Sequence, residues 1–241
     1  MPIQQQLDAT AVQQRQEMEA LLNNAKQIPK MKIKKIGHCC LVIETKGVRI
    51  MTDPGMFTTD QNKEKNIDIV AITHEHGDHF HVDSLKAVIA NNPGVKVVTN
   101  TAVGKLLDAE GIAYELLEDG GSISLNNISF EGHGEHHAVI YKELGQVQNT
   151  GFFIDNTLFY PGDAFTNPNK PVDILALPVA GPWMKISEAI DYALAVKPRR
   201  AFPVHDAIYA NPALGQMHVS KVLPEEGIEF IPLNAGEEKE F

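Results

Sequence analysis

The chain has 241 residues, 43% of them hydrophobic, and its 21 Lys and Arg against 31 Asp and Glu give a formal net charge of −10. That is enough chain for one full core, and so acidic a surface is a poor match for nucleic acid, whose phosphates call for clustered Lys and Arg. No apolar stretch is long enough to span a bilayer, and the N-terminus has neither a basic start nor an apolar run. No membrane partner and no secretory signal are therefore expected, and the cytoplasm is the default location.

Residues 1–31 read as an N-terminal helical extension. Gln4 to Lys26 has no internal Gly or Pro and carries Leu7, Ala11, Met18, Leu21 and Leu22 at loosely helical spacing. It is expected to end before Pro29 and to lie on its own domain or fray rather than act as a dimerisation arm, although homo-oligomerisation stays open. The basic run Lys30 to Lys35 is read as a strand flank, and the second part, 32–241, continues with Gly37-His38-Cys39-Cys40 and the buried-looking strand Leu41-Val42-Ile43. Adjacent cysteines make a poor disulfide, and two in a chain this long suggest a reducing compartment or plain core packing. They are read as small hydrophobes, with metal ligation a minor alternative.

After Thr52-Asp53-Pro54 comes the apolar run Ile67 to Ile72, and directly after it His74-Glu75-His76-Gly77-Asp78-His79. Three imidazoles and the Asp78 carboxylate within six positions describe a metal site. Residues two apart in extended chain point the same way, so His74 and His76 can grip one ion at the usual Zn–N reach of about 2.0–2.1 Å. Asp78 and His79 lie beyond the turn at Gly77 and aim elsewhere, which calls for a second ion.

Helical spacing follows at Ser84 to Ala90 and again at Ser187 to Leu194, with Gly94 and Pro198 as stop signals. Three further polar groups each sit just past a strand-like run: Glu131 to His137 after Ile128-Ser129-Phe130, Pro161-Gly162-Asp163 after Thr157 to Tyr160, and Pro203-Val204-His205-Asp206 after Arg200-Ala201-Phe202. Strand-end loops on a rigid sheet are where sites are built. The pattern of strands followed by strand and helix alternation occurs twice, over roughly 32–118 and 121–233. It predicts an α+β fold, a four-layer αββα sandwich with the polar loops along one edge.

In content and order these motifs resemble the metallo-β-lactamase-fold hydrolase superfamily over roughly residues 32–233. Gly37 to Cys40, Thr52 to Pro54 and Gly181-Pro182-Trp183 resemble its compact branch, which includes ascorbate-phosphate lactonase-like proteins and small Zn-dependent hydrolases of unassigned substrate. The resemblance implies His74, His76 and His137 on one metal, Asp78, His79 and His205 on the other, and Asp163 bridging both. His137 is chosen over the runner-up His136 and over His133 because small Ala138 leads from it into Val139-Ile140-Tyr141, expected to be a return strand. The resemblance also implies that His38 faces the metal cleft for substrate or oxyanion contact, and that Asp53 orients a ligand histidine. Trp183 is expected either to floor a substrate pocket or to complete the core.

Two divalent ions against Asp78, Asp163 and a bridging hydroxide leave about +1, and such a centre brings the pKa of bound water from about 15.7 toward neutrality. The expectation is a dinuclear metal-dependent hydrolase that acts through a metal-bound hydroxide on a small-molecule ester, lactone or phosphoester. The residual charge suits an anionic substrate, and Asp78 is a candidate proton shuttle. The imidazole and carboxylate donors suit zinc, and also manganese or iron. Two alternatives share the fold. A di-iron oxidoreductase would use a glutamate such as Glu75 and an attached flavin module, which is not found here; a metallo-nuclease or phosphodiesterase would carry an insertion for which the spacing from Asp163 to His205 leaves no room.

Overall fold

The computed structural model describes residues 30–144 and 146–241; the helix expected over Gln4 to Lys26 lies outside them. The first half forms β1 (Lys32–Gly37), β2 (Cys40–Thr45), β3 (Val48–Thr52), β4 (Ile69–Ile72), α1 (Val82–Asn91), β5 (Lys96–Thr99), α2 (Thr101–Ala109) and β6 (Glu115–Leu116). The second half forms β7 (Ser122–Leu125), β8 (Ile128–His133), β9 (Gly151–Ile154), β10 (Leu158–Tyr160), β11 (Ile174–Pro178), α3 (Ile186–Val196), β12 (Arg200–Val204), α4 (Ala213–Glu225), β13 (Glu229–Phe230) and β14 (Glu238–Glu240).

The strands make two sheets of seven, in the orders β14-β1-β2-β3-β4-β5-β6 and β13-β12-β11-β10-β9-β8-β7. Each sheet is antiparallel over its hairpin strands and then turns parallel, from β3 to β6 in the first and from β10 to β13 in the second. The internal repeat is thus visible in the topology, with one departure. The last strand, β14, returns to the first sheet and pairs with β1.

Period-two alternation assigns the layers. Leu41, Ile43, Ile50 and Ile69 of the first sheet meet Phe130, Phe152, Ile154 and Phe202 of the second between the sheets. The alternate residues Val42, Met51, Val70 and Ile72 pack under α1 and α2, and Phe153, Phe159, Leu175 and Leu177 under α3 and α4. A sheet buried on both faces needs helices outside, and the four-layer αββα sandwich follows.

Two expectations are corrected. Val139-Ile140-Tyr141 is loop, not a return strand: Val139 and Tyr141 are exposed and Tyr141 makes only a bridge to Leu144, because no strand edge lies beside them. The returning strand is β9. Lys35, read as part of a strand flank, lies inside β1 and is buried in an ion pair with Asp206. Among the described residues no helix is long and apolar enough to cross a membrane.

Candidate metal centre

The parallel strands β3, β4, β10 and β12 deliver their C-terminal ends to one edge of the sandwich, where Asp53, His74, Asp163 and His205 follow them. The turns there are tight. A Cβ on Gly55 would run into the Asp78 carbonyl, and Gly162 combines a φ of +65° with an approach to Asn149 and Thr73 that leaves no room for a side chain. His38, Asp53 and His205 are themselves left-handed, at φ 46°, 37° and 64°. Non-glycine residues pay about 1–3 kcal/mol for such backbone and keep it mostly where a site requires it.

Two groups of histidines meet here. His74, His76 and His137 place ligand atoms within 4.8 Å of one another, as do His74, His79 and Asp163. The Asp163 carboxylate stands between them. Its Oδ1 is 3.1 Å from His79 Nε2, while its Oδ2 is 3.3 Å from His137 Nε2 and 2.9 Å from His205 Nε2. Asp78 lies on the far side of His205, with Oδ2 3.5 Å from its Nε2 and 3.2 Å from His38 Nε2. All seven residues predicted as ligands, and His38, are therefore brought together. His136 points to solvent with its side chain 77% exposed, and His133 sits against Phe159, away from the cluster.

In three of the ligand histidines the ring's other nitrogen is tied down. His79 Nδ1 is 2.7 Å from Asp53 Oδ2, His74 Nδ1 is 3.0 Å from Thr73 Oγ1, and His137 Nδ1 faces the Ala138 carbonyl at 2.5 Å. Asp53 also accepts from the Thr73 amide and hydroxyl, both at 2.8 Å, and from the Tyr160 hydroxyl at 2.7 Å. These contacts fix ring orientation and direct Nε2 inward. The atoms left facing the centre are orphaned: His74 Nε2, His79 Nε2, His205 Nε2 and Asp163 Oδ1 are buried without a hydrogen-bond partner. An unsatisfied buried polar group costs about 1–3 kcal/mol, and a cation coordinated by all of them removes that cost. The residues fit a metal.

The electrostatics agree. Burial disfavours a charge on His205, yet the Asp163 carboxylate, the Cys39 sulfur and the close approach of Asp163 and Asp78 lift its pKa to about 10. Burial likewise opposes protonation of His79, and the Cys39 sulfur, the Asp163 carboxylate and the bond to Asp53 override it. Burial pushes the Asp163 carboxyl up, but His79 and His205 hold it well below the usual range. Negative field that retains protons on buried imidazoles would retain a metal cation in the same place. His38 behaves differently: burial takes its imidazole down to about 4 against the pull of Asp78, so it is neutral at pH 7.

Four participants carried no clear signal in the sequence. Trp183, buried, donates Nε1–H to Asp163 Oδ2 at 2.9 Å, a contact that neither of its expected roles named; as the only tryptophan, set after Gly-Pro, it was noticeable but not assignable. Asn149 accepts the Asp163 amide at 3.0 Å. Lys35 donates to Asp206 Oδ1 at 2.6 Å and to the Pro203 carbonyl at 3.1 Å, bracing the chain on both sides of His205.

Comparison with known proteins gives the class. The family model described as the Beta-lactamase superfamily domain matches residues 32–205. Protein Rv0786c of Mycobacterium tuberculosis is 34% identical over 210 residues, covering 81% of this chain and 98% of that protein. The UPF0173 metal-dependent hydrolase NEQ378 of Nanoarchaeum equitans is 25% identical over 221 residues, covering 86% of this chain and 99% of the relative. In fold, the chain is similar to Igni18, a metallo hydrolase from the archaeon Ignicoccus hospitalis, with a TM-score of 0.71 and 22% identity over 88% of this chain and 98% of that one. The chain belongs to the beta-lactamase superfamily, in its metallo-β-lactamase-fold, metal-dependent hydrolase class. It is an enzyme of that class.

Proposed function

We propose that this hydrolase uses two divalent ions, zinc by preference, to cleave an ester, lactone or phosphoester bond in a small molecule. The observation that carries the reading is the position of Asp163, whose two oxygens reach histidines of both groups. His74, His76 and His137 would hold one ion, Asp78, His79 and His205 the other, and Asp163 both. When bound, such a pair supplies water activated at neutral pH and a Lewis acid for the scissile carbonyl or phosphoryl group.

The chain's own residues do the rest. Asp53 keeps the His79 ring aligned through Nδ1. His38, neutral at pH 7, donates Nε2–H toward Asp78 Oδ2 and can redirect that proton to a substrate oxygen, which makes it the candidate oxyanion contact. Asp78, with its side chain 21% exposed, reaches the cleft and is the candidate shuttle for a proton to the leaving group.

Beside His38 a cavity of 510 Å³ is lined by Phe57, Thr58, Asp60, Ala207 and Pro212 among others, with no Lys or Arg in its wall. A substrate's anionic group would thus be met by the ions, while Phe57, Ala207 and Pro212 offer contact to its uncharged part. The two free, buried cysteines suit a reducing, cytoplasmic setting. Metal analysis by mass spectrometry combined with an ester, lactone and phosphoester panel tests the reading. Protein with two ions per chain that cleaves none of these, and behaves as its metal-depleted form does, would refute it; iron at the site would favour the oxidoreductase alternative.

A further inference from the structure

Cys39 and Cys40 stand side by side at the turn from β1 into β2, and strand alternation sends them to opposite faces. Cys40 packs in the outer layer with Val42 and Met51, under the helices. Cys39, 1% exposed, faces the interior between the sheets, where its sulfur and one ring nitrogen each of His38, His79 and His205 form a set of four donors, all within 4.8 Å of one another. Four donors around a tetrahedral zinc lie about 3.3–3.8 Å apart, given Zn–N near 2.0–2.1 Å and Zn–S near 2.3 Å. Small side-chain adjustments close the difference.

A second observation points to a ligand at the same place. His38 Nδ1, His79 Nε2 and both ring nitrogens of His205 are buried with no hydrogen-bond partner, although every one of these side chains is at least nine-tenths buried. Core packing accounts for an apolar neighbour of the thiol; it does not account for three imidazoles turned toward it with nitrogens unpaired.

We infer that Cys39 supplies a thiolate to the ion held by His79 and His205, so that the second metal position contains sulfur and selects a thiophilic divalent cation such as zinc or cadmium over manganese. The inference rests on the two-ion reading above. Binding replaces the S–H bond by an S–metal bond, and the thiol proton leaves to solvent. Softness of the donor sets the preference, because thiolates favour zinc and its heavier relatives whereas carboxylate and imidazole alone leave manganese competitive.

Zinc-edge X-ray absorption on the zinc-saturated wild-type protein tests this without any substitution. The expected spectrum contains a sulfur shell at about 2.3 Å. A spectrum with nitrogen and oxygen neighbours alone overturns the inference. Cobalt loading provides the second arm: a thiolate-to-cobalt charge-transfer band is expected in the wild type and in Cys40→Ser and is expected to disappear in Cys39→Ser, while a band that survives in Cys39→Ser overturns the assignment. Metal stoichiometry on the same samples judges the two-ion reading separately. Two ions without sulfur sink only the role of Cys39, one ion without sulfur sinks both, and one ion with sulfur upholds Cys39 while ending the two-ion reading.

Discussion

Tyr160, at the end of a strand in one sheet, reaches across the sandwich to place its hydroxyl 2.7 Å from Asp53 Oδ2 in the other, and that same oxygen lies 2.7 Å from His79 Nδ1. One buried carboxylate thus ties the two sheets to the ring that faces the metal centre. Asp53→Asn keeps the shape but weakens the charge-assisted bond to His79, and a loss of about 10–100-fold in metal affinity or activity is expected with the fold intact. Tyr160→Phe removes one donor and should cost about 1 kcal/mol of stability. Metal titration and thermal unfolding of the two variants check this.

His137 and His136 are neighbours with opposite settings, one buried against Asp163 and the other exposed. His137→Ala should bind one ion fewer per chain and lose most activity, whereas His136→Ala should match the wild type in both. Metal content by mass spectrometry separates them, and equal losses in both variants would contradict the assignment.

The buried pair of Lys35 and Asp206 should be costly to break from one side. Lys35→Met leaves the Asp206 carboxylate uncompensated, and a destabilisation of about 3–5 kcal/mol is expected, largely recovered in Lys35→Met/Asp206→Leu. Denaturant unfolding of the single and double variants measures it.

Asp173 receives Arg199 and Arg200 at the start of β12, the strand that His205 follows. Burial raises its pKa, but the two guanidiniums more than offset this and hold it below the ordinary value. A carboxylate depressed in the folded state contributes stability that is present above its unfolded pKa, about 3.9, and is lost as pH falls through the folded value. Asp173→Asn should therefore cost about 1–2 kcal/mol at pH 7, the exposed Arg199 adding little, and the difference from wild type should shrink below about pH 4. Unfolding curves across pH give the test.

How far the sequence revealed this follows from the range of each interaction. The run from His74 to His79 is legible because a period of two and one turn act within six residues. Asp163 and His205 became legible through their order along the chain and their place after apolar runs. His137 could not be separated from His133 and His136 locally; what separates them is its own amide bond to Val147 and the bond from the next amide to the Asp163 carbonyl. Lys35 with Asp206, Asn149 with Asp163, and β14 with β1 join distant parts of the chain, so nothing near either partner announces them. Val139 to Tyr141 shows the converse, strand-forming residues that lack a neighbouring edge.

The central claim is that two cations share the Asp163 carboxylate. Anomalous diffraction at the zinc edge from crystals of the zinc-loaded protein tests it most directly. Two peaks about 3.5–4 Å apart, with Asp163 between them, His137 beside one and His205 beside the other, are the predicted result. A single peak, or two that Asp163 does not touch, would contradict it.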